Sequence, residues 1–261
     1  MSQEVIVPTP ARFRASRFAV VTVLLVVALV MTVIVSLGSG QYPLSPTEVI
    51  GILLQSVGIG NGWVPDAAPA AGVVLDIRLP RIVLGLLVGW ALAVSGVLMQ
   101  AIFGNPLADA GVVGVSSGAA LGAAASITFG LVTLGAWTTP LFAFAGGLVA
   151  VFSVYLISRS GGRTEVVTLL LTGIAINAIA GAGLALLTFL GTTSTREQIV
   201  FWQLGSLNGA LWQNIALVAP LVVIGSVVAL VVANSLDLFA LGERTARHLG
   251  VRVEALRIVV I

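Results

Sequence analysis

The chain has 261 residues, of which 58% are hydrophobic and only 8% charged; it carries thirty glycines, one histidine, no cysteine and no lysine. All twelve basic residues are arginine, against ten acidic ones, for a net charge of +2. These counts exclude disulfide and thiolate chemistry, a Schiff-base or phosphate-loop lysine and a nucleic-acid footprint, while a mean hydropathy of +1.14 and a charged fraction far below the roughly 25% of soluble domains place the chain in a lipid bilayer.

Gaps between charges define the spans. Residues 18–47, 82–108, 110–158, 166–195 and 198–236 carry no charge. A transmembrane helix needs about 20 apolar residues, so the longest gap holds two spans, broken near Gly135 to Pro140. The reading is all-α: a polytopic helix bundle with helices near 18–38, 80–103, 112–134, 139–158, 165–190 and 211–233. That makes six complete spans, and the residues from about Arg257 read as the start of a seventh. The first apolar run, 18–37, is longer than the about 7–15 residues of a signal-peptide core, so it reads as a retained helix. Between the first two spans, 39–77 is the long extracytoplasmic loop. Within it Ser45, Pro46 and Glu48 form a capping box that starts a short helix, and residues 60–72 read as irregular and mobile.

Arginine placement sets the orientation. With the N-terminus inside, alternation puts Arg12, Arg14, Arg17, Arg159, Arg163, Arg244, Arg247, Arg252 and Arg257 inside, leaving Arg78, Arg81 and Arg196 outside. The chain is therefore read as multi-pass with a cytoplasmic N-terminus. Small residues recur every four positions: Gly85, Gly89 and Ala93 on one span, and Gly114, Gly118 and Gly122 on the next. Such faces allow close helix packing or leave room for a pathway.

Catalysis has little support. His248 is a lone loop histidine that reads as solvated, the carboxylates sit at span ends, and no metal-ligating cluster or cofactor motif stands out. The six spans hold no ionisable residue at mid-membrane depth, where an ion-coupled carrier usually has one. Asn177 is a polar mid-span residue that serves either an interhelical hydrogen bond or a pathway.

Three segments carry further signal. Arg78-Leu79-Pro80-Arg81 lies at the outer end of the second span; its arginines either snorkel or dock acidic groups of an outside partner. Gln100 to Asn105-Pro106-Leu107 ends the same span at the inner face, because proline removes a donor and restricts the residue before it. That segment is either a tight turn or a mobile constriction. The inside loop 234–256 contains Leu241, Gly242, Glu243, Ala246, Leu249 and Gly250. Glu243 and Arg247 are spaced i, i+4, and Gly250 reads as a helix stop. This loop is either packed on the bundle or offered to a cytoplasmic partner.

In order and spacing, these segments resemble the FecCD family of permease subunits of ABC importers for iron–siderophores, haem and cobalamin. The matching residues are Arg78-Leu79-Pro80-Arg81, Gly96, Gln100, Asn105-Pro106-Leu107-Ala108, Gly114-Val115-Ser116-Ser117-Gly118-Ala119, Leu169-Leu170-Leu171-Thr172-Gly173, Trp202 with Gly205-Ser206-Leu207, and Leu241-Gly242 with Leu249-Gly250-Val251. The resemblance implies the type II ABC importer permease fold and a single transmembrane permease domain over 1–261. It implies a pathway at the interface with a second permease subunit, driven by a separate cytoplasmic ATP-binding subunit and fed by an extracytoplasmic substrate-binding protein. It further implies that Arg78 and Arg81 dock the binding protein and that Gln100, Asn105, Pro106, Leu107 and Asn177 belong to the cytoplasmic gate or pathway. Residues 234–256 become the coupling loop, with Leu241, Gly242, Glu243, Ala246, Leu249 and Gly250 at the ATPase. Iron–siderophore is the implied substrate, in a bacterial plasma membrane. The family has about ten spans, so the domain reads as incomplete. At the fifth span, Val166 and Val167 stand near the place where some members carry hydroxyl residues. The competing readings are an ion-coupled secondary transporter and a non-transporting scaffold.

Overall fold

The computed structural model describes residues 11–60, 62–64, 69–160 and 163–261. Among these, the first helix is α1 (Ala11–Gly38), followed by α2 (Pro46–Ser56) and α3 (Pro69–Gly72). A π-helical segment, Val73–Arg78, carries α3 without interruption into α4 (Leu79–Phe103). After a 3-10 turn at Ala110–Val113 come α5 (Val115–Thr128), α6 (Thr138–Ser158), a hairpin of β1 (Arg159–Ser160) and β2 (Arg163–Thr164), and α7 (Val166–Leu190). The chain continues through α8 (Thr193–Leu204), α9 (Trp212–Ala240), α10 (Glu243–His248) and α11 (Val253–Val260).

Five helical stretches among the described residues are long and apolar enough to cross a membrane: Arg17–Gly38, Pro69–Phe103, Gly135–Ser158, Val166–Leu190 and Trp212–Ala240. The span expected at 112–134 is shorter. Its helix, Val115–Thr128, has 14 residues, a rise of about 21 Å against a hydrocarbon core of about 30 Å. The second span is longer than expected, since the helix begins at Pro69 and not near Pro80. The irregular reading of 60–72 therefore fails from Pro69 onward; Asn61 and residues 65–68 lie outside the described residues. The sequence reading also missed α8, and α9 extends to Ala240, well past the expected end at 233.

The contacts divide the chain into two compact units: the described residues up to Gly85 together with Asn208–Ala216, and Leu86–Leu207 together with Leu217–Ile261. In the first, Leu37, Val49, Ile52, Ala70 and Val74 form a small buried core. The expected capping box opens α2. The Ser45 backbone N–H donates to Glu48 Oε2 at 2.7 Å, and Glu48 N–H donates to Ser45 Oγ at 3.3 Å. Glu48 is thereby held below the ordinary carboxylate range by the hydrogen bonds from Ser45. Trp212 Nε1 donates to Leu75 O at 3.0 Å, meeting a carbonyl of the π-helical segment, where the regular i→i−4 ladder is interrupted.

The second unit is built on main-chain contact. A Cβ added at Gly122 would stand 2.1 Å from Phe142 O, and one at Gly146 would stand 2.3 Å from Gly118 O. Glycine at these positions brings α5 and α6 together backbone to backbone, as expected where no hydrophobic force drives helices together within lipid. Gly173 of α7 does the same against the 3-10 turn, where an added Cβ would lie 2.0 Å from Val112 O. Two buried clusters then mark opposite ends of α5 and α7. Ala124, Leu187 and Ile199 join the C-terminal ends of both helices to α8. Met99, Ile102, Val113, Val154, Leu169, Leu236, Phe239, Ala246, Val253 and Leu256 form the larger cluster. There the last turns of α4, α6 and α9 meet the start of α7 together with α10 and α11.

The stripe through Gly85, Gly89 and Ala93 behaves differently. Nothing lies within 4 Å of a Cβ added at Gly89 or Gly96, so this face of α4 is open. Along the apolar windows of α4 and α9 only 6% of residues are buried, and along α1 none are. These apolar surfaces suit lipid or another subunit. Gly122→Ala should therefore destabilise the chain by at least about 1–3 kcal/mol, the range for overpacking a tight core. Gly89→Ala should be neutral or mildly stabilising through helix propensity. Thermal unfolding of the two variants in detergent distinguishes them.

Candidate functional site

The outer arginines separate into two roles. Arg78, in the last π-helical position, donates from Nη1 to Leu37 O at 2.5 Å and from Nη2 to Tyr42 O at 2.6 Å. Leu37 is in the last turn of α1, where carbonyls lack helical partners and a cation is favoured. Gly40, at φ 141°, makes room, since a Cβ there would stand 2.7 Å from Arg78 Nη2. Arg78 thus closes α1 and the following loop onto the start of α4 and is only half-exposed. Arg81, one turn on, is exposed. Both line a groove of about 690 Å³ with Ser36, Tyr42 and Asn208.

At the other end of α4, the expected break is a complete helix stop. Gly104 takes φ 58°; its N–H donates to Ala101 O, and Asn105 N–H donates to Gln100 O at 3.2 Å. This 5→2 and 6→1 pair is the Schellman pattern. Asn105 Oδ1 then accepts from Leu107 N–H at 2.9 Å, and Asn105 O accepts from Ala108 N–H at 3.1 Å, so Asn105-Pro106-Leu107-Ala108 is a tight turn. Proline suits its second position, and the asparagine side chain closes it from within. Gln100, Asn105 and Pro106 are exposed. Leu107 is 89% exposed, an apolar side chain at a turn tip with little packed against it.

Directly after this turn, Asp109 Oδ1 caps the 3-10 segment by accepting from Gly111 N–H at 2.7 Å. Asn177 of α7 fastens that segment in place. Its Nδ2 donates to Gly111 O at 3.1 Å, and its Oδ1 accepts from the Ser117 hydroxyl at 2.5 Å. These contacts are the interhelical hydrogen bonds that its mid-span position allows. It lies one helical turn beyond Gly173, so one face of α7 supplies both the close approach and the clasp.

The loop after α9 forms two short helices. Gly242, at φ 104°, precedes α10, and Gly250, at φ 87°, follows it. Gly250 N–H donates to Arg247 O, and Val251 N–H donates to Ala246 O at 3.0 Å, which confirms the expected stop as a second Schellman pattern. Ala246 is fully buried, whereas Leu241 is 65% and Leu249 56% exposed. The Ala246 methyl faces the core, and Leu241, Arg244, Thr245, Arg247, His248 and Leu249 are exposed around it. The exposure of His248 agrees with its reading as solvated.

Glu243 receives Arg247 Nη2 at 2.6 Å on Oε1 and Arg257 Nη2 at 2.9 Å on Oε2. Burial pushes the Glu243 carboxyl up, but the hydrogen bond from Arg247 and the charge of Arg257 outweigh it and hold the group below the ordinary value of 4.5. Arg257, expected at the start of a seventh span, lies in α11 and is only 1% exposed. The sequence offered no sign of this burial, because an arginine at a membrane edge normally faces water. Among the described residues no group of three or more His, Cys, Asp and Glu side chains is placed to hold a metal ion.

Asn177→Ala should cost about 1 kcal/mol of stability, the scale of interhelical hydrogen bonds within membranes, and should loosen residues 110–114 in hydrogen exchange. Glu243 has a depressed folded pKa, so its stabilising contribution is fully present above the unfolded value of 4.5 and drains away as pH falls through the lower folded value. Melting curves of wild type and Glu243→Gln should separate above about pH 5 and converge in more acidic solution.

A model of the FecCD transport family matches residues 25–261. The cobalamin import system permease protein of Halobacterium salinarum is 44% identical over 194 residues, which cover 73% of this chain and 50% of that protein. The hemin transport system permease protein of Yersinia pestis is 41% identical over 182 residues, covering 69% of this chain and 54% of that one. A solved structure described as an inward-facing metal-chelate type ABC transporter matches with a TM-score of 0.74 at 32% identity, covering 90% of this chain and 70% of the other. This chain spans about half the length of the two curated relatives. With the family model matched over nearly its whole length, the chain belongs to the FecCD transport family.

Proposed function

We propose that the chain acts as a membrane-spanning permease subunit of an ATP-driven importer for metal chelates, iron–siderophore complexes being the favoured cargo. The relatives named for cobalamin and hemin, and the structure named for a metal chelate, support this substrate class. In this reading two permease subunits enclose the pathway, and a separate cytoplasmic subunit binds and hydrolyses ATP. A substrate-binding protein delivers cargo from outside. The excess of arginine in alternate loops supports a cytoplasmic N-terminus in the cell membrane.

One observation carries the proposal: the turn tip at Leu107 and the exposed face of α10 are mounted on the same buried cluster. Met99 and Ile102, in the last turn of α4, pack in one core with Ala246 of α10. A push on α10 therefore reaches the helix that ends in Asn105-Pro106-Leu107, the segment assigned to the cytoplasmic gate together with Gln100. Asn177 holds the 3-10 segment that follows this turn. At the outer end Arg81 is the arginine offered to acidic groups of the binding protein, while Arg78 keeps the site in shape. Leu241 and Leu249, beside Gly242 and Gly250, form the apolar part of the ATPase contact.

Co-purification with an ATP-binding subunit, followed by uptake of a ferric siderophore into proteoliposomes, tests the whole reading. ATP-dependent uptake is expected only with both partners present, and ATP-independent uptake driven by membrane potential would overturn it. Leu241→Glu and Leu249→Glu should each weaken the ATPase association at least about tenfold, through loss of an apolar contact and burial of a charge. Arg81→Glu should weaken binding of the substrate-binding protein with a strong dependence on salt, and equal affinity for variant and wild type would remove the docking role.

A further inference from the structure

Helix α10 has six residues, too few to hold its own shape in isolation. Glycines at positive φ flank it on both sides, Gly242 and Gly250, so the backbone offers two swivels. Its inward residue, Ala246, contributes only a methyl group. Something else must fix its direction.

Arg257 is in contact with three helices at once. Its Nη2 donates to Glu243 Oε2 of α10 at 2.9 Å, and its Nη1 donates to Glu254 Oε1 within α11 at 3.2 Å. The guanidinium lies over the ring of Phe239 in α9, 5.7 Å from the centroid. Neighbouring α11 side chains Val253, Leu256 and Val260 sink into the large cluster with Met99, Ile102 and Leu169. Arg257 is the only charged residue among the buried ones described. Burying a charge costs desolvation that pairing often barely recovers, so such a group is weak evidence of stability and better evidence of fixed geometry. A planar fork that binds two carboxylates and stacks on a ring fixes direction as a lysine could not.

We propose that Arg257 is a positioning residue: it locks α10 onto α11 and α9, so that the exposed face of α10 meets the ATP-binding partner as a rigid lever. The consequence for coupling rests on the permease reading above; the lock itself does not. Without it α10 turns on its two glycines, and motion imposed on Leu241 and Leu249 is lost before it reaches α4.

The chain has no cysteine, so spin labels at Arg244→Cys and Ile258→Cys, both exposed positions, report the α10 to α11 distance by double electron–electron resonance. A single narrow distribution is expected in this background. Adding Arg257→Met, which keeps bulk and removes the fork, should at least double the width. Arg247→Met, which removes only the partly exposed partner, should leave it narrow. Should the Met variant fail to fold, Arg257→Lys keeps the charge and should give an intermediate width. A distribution as narrow as that of the background in Arg257→Met, or in Arg257→Lys where that variant stands in, would overturn the lock. In a second arm, the ATP-binding subunit co-purified with wild type is titrated against Arg257→Met. About a tenfold loss of affinity or of uptake per ATP is expected. Unchanged affinity and uptake beside a broadened distribution would overturn the lever role. Failure of wild type to hold any ATP-binding subunit would instead overturn the permease reading and leave the lock standing.

Discussion

Main chain touching main chain at Gly118, Gly122, Gly146 and Gly173 is the constraint on which the second unit depends. Within lipid, apolar side chains gain nothing by leaving acyl chains for one another, so tight association needs van der Waals contact at short range and a few interhelical hydrogen bonds. Glycine supplies the first and the Asn177 to Ser117 and Gly111 clasp supplies the second. Because α5 and α6 are fixed to each other by backbone, and α7 to the 3-10 segment between the Asn105 turn and α5, that segment has little freedom. The turn tip therefore stands on a rigid base on one side. On the other side it hangs from α4, whose long faces stay open.

That asymmetry suits the permease role proposed above. The most buried helices are the middle ones, while α1, α4 and α9 present apolar surface along their length. Polar detail concentrates where helices stop: Arg78 on the end of α1, the glycine stop at Gly104, the glycine stop at Gly250 and the charge cluster around Arg257. The first three close backbone groups that lipid could not satisfy, and each of the four also decides where an exposed side chain faces. Fold stability and the display of Arg81, Leu107, Leu241 and Leu249 thus share the same few helix ends.

Much of this was legible in the sequence because charge is so sparse. Uncharged gaps located the long helices, and Ser45-Pro46-Thr47-Glu48, Asn105-Pro106 and Gly250 marked boundaries by local chemistry that tertiary context does not override. The failures share a cause. Helix α8 straddles Arg196 and Glu197, the two charges that separate neighbouring uncharged gaps, where a reading based on charge gaps sees only a boundary. Asp76 and Arg78 broke the apolar run before α4, though a helix with a π-turn accommodates both and Arg78 spends its charge on the carbonyls of Leu37 and Tyr42. Ala246 was read within the inside loop and Arg257 at the start of a seventh span, and the burial of both depends on how α10 and α11 fold back onto the end of α9. No local pattern encodes that return.

The account stands on the turn at Asn105-Pro106-Leu107 and the α10 face sharing one side of the membrane, with Arg81 on the other. Because the chain lacks cysteine, single substitutions report this directly. Leu107→Cys, Leu241→Cys and Arg81→Cys variants would be labelled with a membrane-impermeant maleimide in right-side-out and inverted vesicles. The account predicts that Arg81→Cys reacts only in right-side-out vesicles and that Leu107→Cys and Leu241→Cys react only in inverted ones. Labelling of Leu107→Cys and Leu241→Cys from opposite sides, or of Arg81→Cys from the same side as Leu107→Cys, would contradict it.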